Sequence, residues 1–465
     1  MDGLAHWLDP AAQRALAAVC VLLAYALLCA LAWQGERLRR RRTAAARVAL
    51  QAPAPERAPV LVAYASQTGF AEQIAWRSAD LLHQAGLSVH LLPVADVHAA
   101  QLRDTQRALF IVSTYGEGDS PDNGAAFADR CMAQALPLPR LQHGVLALGD
   151  RAYANFCGFG RRLDGWLRTQ GSTPLFERID VDNDDAQALR SWLHHIGRLA
   201  GTSDLPDWEA PAFDPWRLSG RRVLNAGSAG APVCLLELQP QLGVALPDWQ
   251  AGDLVQVLAP GDRDKAREYT IASLPADGRV QLIVRQERHD DGTLGAASGW
   301  LTRELEVGGT VELRVRAHSA FRIGDNVERA LILIGNGTGY AGLRSHLCTR
   351  AAAASPVPSW LLFGERQAAH DRYAPDEIHA WLANGVLAQA DFVFSRDQPE
   401  RRYVQHRLIE RAELLRQWVA RGAAIYVCGS LKGMAGGVHD ALVEVLGTEQ
   451  LAELTAQRRY RRDVY

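Results

Sequence analysis

Twice along this 465-residue chain, short apolar runs alternate with amphipathic helical stretches, and both times the first run ends in a loop rich in glycine and small hydroxyl residues. VLVAYA (60–65) is too evenly apolar for a half-exposed strand. Such a run belongs in a parallel sheet with helices on both faces. SVHLLP (88–93), ALFIVS (108–113), GVLALG (144–149) and PLFERI (174–179) extend the pattern to about residue 200. ALILIG, SWLLFG, DFVFS and AAIYVCG repeat it from residue 330 onward. Between the two lie VCLLEL (233–238), DLVQVL (253–258), RVQLIV (279–284) and TVELRV (310–315), separated by turn residues. Strand-helix alternation makes the class α/β, and the middle runs predict a small antiparallel barrel. The predicted divisions are 60–200, a linker at 201–217 holding three prolines, a barrel at 218–325 and a second α/β domain at 326–465.

Composition excludes several functions. Hydrophobic residues make up 48% and charged residues 22%, ordinary for a folded chain, and the formal charge of −2 gives no reason to expect nucleic-acid binding. The seven cysteines are scattered without a CxxC pair, which suits a reduced compartment and predicts no metal site. Residues 15–33 form a stretch of 19 without a charge, close to the length that spans a bilayer core of roughly 30 Å. Arg37 and Arg39 to Arg42 follow it, whereas Asp2 and Asp9 precede it. This polarity predicts a single-pass transmembrane helix in the inner membrane, with a tether at 34–59 and the catalytic domains in the cytoplasm. A cleaved signal peptide is the alternative, since Ala30-Leu31-Ala32 has the form of a cleavage site.

The first candidate site follows strand 60–65: Ser66, Gln67, Thr68, Gly69, Phe70 and Ala71 lead directly into a helix. Helix N-terminal amides and small hydroxyls together cradle an anion, and the lack of a lysine suits FMN better than a nucleoside triphosphate. An ordinary capped turn would look alike in isolation. Two more loops on the same sheet edge change the balance. One holds Ser113, Thr114, Tyr115 and Gly116; the other runs from Leu148, Gly149 and Asp150 to Tyr153, Asn155, Phe156 and Cys157. Tyr115 and Tyr153 are placed to stack on an isoalloxazine ring. SQTGFAE, STYGEGDSPDN and LGDRAYANFCGFG resemble the three FMN loops of the NADPH-dependent diflavin reductases, a family that includes the sulfite reductase flavoprotein subunit and the NADPH–hemoprotein reductases. The resemblance implies a flavodoxin-like domain at 60–200, followed by a ferredoxin-reductase-like module.

In that module, Arg267, Tyr269 and Thr270 resemble an FAD motif, with Arg267 for a pyrophosphate and the Thr270 hydroxyl for the flavin ring. Gly295, Ala296, Ala297 and Ser298 resemble its second pyrophosphate turn. Gly337 and Thr338 lie in a glycine-rich loop at the expected dinucleotide position. Ser395, Arg396, Arg401, Tyr403 and Gln405 resemble the segment that selects NADPH, because arginines and a serine suit its extra phosphate; a solvated basic helix start is the plainer reading. By resemblance, Thr270, Cys428 and Asp463 form a polar trio that aligns the hydride, and Tyr465 covers the FAD ring.

The acidic residues Asp119, Asp122, Asp182, Asp184 and Asp185 are open to two readings, steering a basic acceptor or solvating the surface. Only about eight residues, 259 to 266, separate strand 253–258 from Arg267, so the family's helical connecting domain is missing. The implied activity is electron transfer from NADPH through FAD and FMN to a haem- or iron-containing acceptor protein. A ferric or ferrisiderophore reductase, or a membrane-tethered flavin carrier without full reductase activity, are the alternatives.

Overall fold

The computed structural model describes residues 58–201, 212–353 and 357–465. Val60–Ala65 forms β1, buried along its whole length. Its period-two alternation divides it between two cores. Val60, Val62 and Tyr64 pack with Ile74, Leu82 and Trp192 on one face, and Leu61, Ala63 and Ala65 with Phe127 and Leu163 on the other. β2 (Val89–Pro93), β3 (Arg107–Ser113) and β4 (Gln142–Gly149) join it in parallel, in the order β2-β1-β3-β4. The order reverses between β1 and β3, which opens a crevice at their carboxyl ends. The run expected as one strand at 174–179 is two short ones, β5 (Thr173–Pro174) and β6 (Ile179–Asp182), both paired with β4. Between them Glu177 and Arg178 turn outward to form ion pairs with Arg168 and Asp164.

The middle unit has more strands than the apolar runs announced. β7 (Asp214–Val223), β8 (Val233–Pro240), β9 (Leu254–Ala259), β10 (Asp262–Thr270), β11 (Val280–Arg285) and β12 (Thr310–Arg316) form one sheet in the order β10-β9-β12-β7-β8-β11. A bridge between Ile271 and Leu282 joins its two outer strands and closes the barrel around Trp216, Leu236, Val255 and Leu313. β7 begins inside the stretch read as a linker, because Trp216 and Leu218 alternate inward. β10 is strongly charged and follows β9 after only Pro260 and Gly261, so a tight hairpin stands where a connecting domain would be inserted.

The last unit is a parallel sheet of β13 (Leu331–Asn336), β14 (Ser359–Glu365), β15 (Leu387–Phe394), β16 (Ala424–Gly429) and β17 (Tyr460–Val464), in the order β15-β14-β13-β16-β17. β17 was not anticipated. Its register sets Asp463 directly opposite Cys428.

The inner-membrane placement expected from the sequence is corrected. Among the described residues no helix is long and apolar enough to cross a membrane, and the segment 15–33 that carried the expectation lies outside them.

Candidate active site

The loops after β1, β3 and β4 open onto one cavity of about 830 Å³. Ser66 is 5% exposed, and its hydroxyl has no hydrogen-bond partner within the protein. The Gln67 amide donates to the Ser113 hydroxyl at 3.3 Å, and the Ser113 hydroxyl donates to the Ala65 carbonyl at 3.1 Å, which ties the first two loops together. Gly69 has φ +87°, and a Cβ there would lie 2.4 Å from the Ala317 carbonyl oxygen of the barrel. A side chain at this position would push the two modules apart. Ala71 does not meet the cavity as expected. It packs in the core one turn before Ile74 and Ala75, on the buried face of the helix Phe70–Gln84.

Thr114 accepts from the Phe159 amide at 3.3 Å, and the Tyr115 hydroxyl donates to the Val464 carbonyl at 3.1 Å. Gly116 has φ +50° and carries the second loop round its turn. In the third loop, Leu148 and Gly149 end β4, and a Cβ at Gly149 would crowd the Cys157 amide at 2.8 Å. Asp150 accepts from Lys265 at 2.6 Å, and Asn155 donates to the Glu117 carbonyl at 2.6 Å. Tyr153 is 45% exposed, and the Phe156 ring lies under the Arg151 and Arg161 guanidinium groups at 5.2 and 5.6 Å. The Cys157 thiol donates to the Ala147 carbonyl at 3.1 Å, and burial pushes its pKa up to about 12, so it tethers the turn as a neutral thiol.

The same cavity is lined by Arg267, Tyr269, Thr270 and Ser298 of the barrel and by Thr338, Asp463 and Tyr465. Arg267 pairs with Asp262 at 2.7 Å, and burial raises the Tyr269 hydroxyl pKa. The Thr270 hydroxyl donates to Asp463 Oδ2 at 2.7 Å, and the Cys428 thiol lies 3.5 Å from the same oxygen. His318 Nδ1 is 4.0 Å from Asp463 Oδ1. Cys428 is fully buried behind this pair; burial and the adjacent carboxylate hold its thiol pKa well above the ordinary range. The Tyr465 hydroxyl donates to Thr338 at 3.0 Å, and its amide donates to the Gly429 carbonyl at 3.1 Å. Of the expected pyrophosphate turn, Ser298 reaches the cavity and accepts from the Glu287 amide at 3.1 Å; Gly295, Ala296 and Ala297 lie away from the cavity lining.

At the end of β13, Gly337 has φ +56°, and a Cβ on Gly339 would lie 2.1 Å from the Cys428 carbonyl, so the loop can approach β16 only as glycine. The Ser395 and Arg396 amides bond to the carbonyls of Glu365 and Arg366 at 2.9 and 2.8 Å, beyond β14 and β15. Arg396, Arg401 and Tyr403 are exposed nearby, and Gln405 has a buried carbonyl oxygen without a protein partner. These residues stand outside the cavity lining.

Sequence reasoning missed a set of charged residues. Arg285 donates to Glu365 at 2.7 Å and the Tyr373 hydroxyl donates to the same carboxylate; burial raises the Glu365 pKa and Arg285 opposes it. From the barrel, Lys265 meets Asp150, Arg314 meets Asp184 at 2.7 Å, and Arg316 meets Thr68 at 3.1 Å. The signal was present in TVELRVR: Val311 and Leu313 enter the barrel core, while Glu312, Arg314 and Arg316 share the opposite face. Asp184 is therefore turned toward the barrel, and Asp185 caps the helix Ala186–Ala200 by accepting from the Gln187 amide at 2.8 Å.

The residues present fit a mononucleotide and a dinucleotide flavin side by side. Ser66 holds an unmatched buried hydroxyl, the glycines make room for close backbone approach, and the cavity lies within the usual range for ligand sites. Fold and site together define a nicotinamide-to-flavin electron-transfer protein with two flavin modules. Comparison with known proteins carries this further. The flavodoxin family model matches residues 62–194, and the oxidoreductase NAD-binding domain model matches residues 333–440. The sulfite reductase (NADPH) flavoprotein alpha-component of Vibrio cholerae is 28% identical over 535 aligned residues, covering 87% of this chain and 87% of the relative. Those of Bacillus subtilis and Neisseria meningitidis serogroup A are 27% and 29% identical, covering 91% and 90% of this chain and 92% and 91% of each relative. The two domain matches and these relatives support an NADPH-dependent diflavin reductase, with FMN, FAD and NADPH as its cofactors. The Vibrio alignment runs longer than this whole chain of 465 residues.

Proposed function

We propose that the chain accepts hydride from NADPH beside Thr270, Asp463 and Cys428 and delivers electrons to a separate haem- or iron-containing acceptor protein. When bound, FAD takes a two-electron hydride and FMN releases electrons singly, which is why two flavins are used in series. Thr270 and Asp463 orient the reacting end of the cavity, and Asp463 supplies a fixed negative charge there. Cys428 supports that carboxylate with a thiol that stays protonated. Tyr465 covers the nicotinamide approach, held by Thr338 and the β16 backbone. Arg267 and Ser298 suit a pyrophosphate, and Ser66 and Thr68 suit the FMN phosphate. Ser395, Arg396 and Arg401 favour the phosphorylated coenzyme, with Tyr403 and Gln405 beside them.

The observation that carries this reading is the shared cavity. All three loops of the flavodoxin-like domain and the cofactor-facing strands of the barrel line it, and the Tyr115 hydroxyl reaches the carbonyl of Val464 across the boundary. The relatives named above are flavoprotein components of sulfite reductase, which supports an iron-bearing acceptor. The test is flavin analysis of the purified chain followed by anaerobic reduction. One FAD and one FMN per chain, bleached by NADPH far faster than by NADH, is the expected result. R396A/R401A should raise KM for NADPH roughly tenfold to a hundredfold while leaving that for NADH nearly unchanged. A single flavin type, or equal use of the two coenzymes, would overturn the proposal.

A further inference from the structure

We infer that Arg316, contributed by the barrel, is a ligand of the FMN phosphate held by the flavodoxin-like domain, so the mononucleotide site is complete only while the two modules are docked. This rests on the reading of residues 66–71 as the FMN phosphate loop. That loop contains no lysine or arginine of its own, although it must hold a dianion. Its amides and the N-terminus of the 15-residue helix Phe70–Gln84 supply partial charge only. Arg316 supplies a whole one. It ends β12, is 7% exposed, and reaches across the boundary to place Nη2 3.1 Å from the Thr68 hydroxyl. Its guanidinium lies over the Phe70 ring at 4.9 Å.

Two polar atoms here have no partner within the protein, both buried: Ser66 Oγ and Arg316 Nε. Ser66 itself is 5% exposed, and both residues line the cavity. Glu268 pairs with Nη1, which fixes the orientation of the group and leaves Nε free. A planar guanidinium set beside two hydroxyls and a helix N-terminus recognises a phosphate monoester rather than the ring it carries. The close seating of Gly69 on the Ala317 carbonyl holds the two halves at this distance.

The experiment uses the full chain depleted of FMN, titrated separately with FMN and with riboflavin, which lacks the phosphate, and read by quenching of flavin fluorescence. Wild type should bind FMN more tightly than riboflavin. R316Q should lower FMN affinity roughly tenfold to a hundredfold and leave riboflavin affinity unchanged, and R316K should recover part of the loss. FAD content of the same samples reports whether the barrel is folded. If R316Q leaves FMN affinity intact, or weakens both flavins equally in FAD-replete protein, Arg316 is a docking residue and the inference fails. A wild-type chain that binds neither probe would refute the FMN reading itself, and this inference with it.

Discussion

Replacement of Asp463 by Asn bears directly on the trio at the end of the cavity. Oδ2 accepts from the Thr270 hydroxyl at 2.7 Å and faces the Cys428 thiol at 3.5 Å, with all three residues buried. A hydrogen bond to a charged group contributes about 1.5–3 kcal/mol, and one between neutral groups about 0.5–1.5. Asparagine keeps an oxygen acceptor in nearly the same place and removes the charge. The difference, about 1–1.5 kcal/mol, corresponds to roughly a tenfold slower reduction of FAD by NADPH. Alanine should cost more, because it strands two buried donors at about 1–3 kcal/mol each and should also lower the melting temperature. Anaerobic stopped-flow absorbance isolates the step. T270V and D463N share one bond, so the double variant should lose less than the sum of the singles, with a coupling of about 0.5–3 kcal/mol. Wild-type reduction rates in D463N, or strictly additive losses in the double variant, would refute the reasoning.

Further outcomes follow from the same coordinates. His346 is fully buried between Phe321 and Tyr426, and burial, reinforced by Arg461 and Arg350, lowers its pKa from 6.5 to about 3. The unfolded chain takes up this proton below about pH 6.5 and the folded chain does not, so this stability is complete above that pH and lost as pH falls toward 3. The slope is about 1.4 kcal/mol per pH unit, and H346Q should flatten it in urea denaturation between pH 6.5 and 5; parallel slopes would count against the assignment. G69A should cost about 1–3 kcal/mol, from its left-handed backbone and the Ala317 contact, and should slow transfer between the flavins; an unchanged second phase of flavin reduction would contradict this. K265A removes a partly exposed pair with Asp150, so stability should fall by about 1 kcal/mol or less, and the salt dependence of the same phase should weaken.

Much of this protein was legible before any coordinates. Buried runs such as VLVAYA and ALILIG reveal parallel strands because burial on both faces leaves no polar alternation, and Gly69 and Gly337 mark left-handed turns at their ends. The loops at 66–71, 113–116 and 148–157 stood out as candidates because each motif is local and its chemistry is carried by residue type, whereas Thr270, Cys428 and Asp463, far apart in sequence, were grouped only by the family resemblance. What local pattern could not supply was the identity of strands whose outward faces are charged. The first part of β7 reads as a linker until its partners show which face is inward. The motif also did not say that the Ala71 side chain lies on the core side of its helix.

Contacts between distant segments were decided by the tertiary structure alone. Thr68 and Arg316 lie 248 residues apart, and Thr270 and Asp463 lie 193 apart. Side-chain periodicity reports the environment of a single element, whereas a shared site depends on how separate elements dock. The basic face of β12 was visible in the alternation of TVELRVR, but only the packing of the modules showed that it faces the loop after β1.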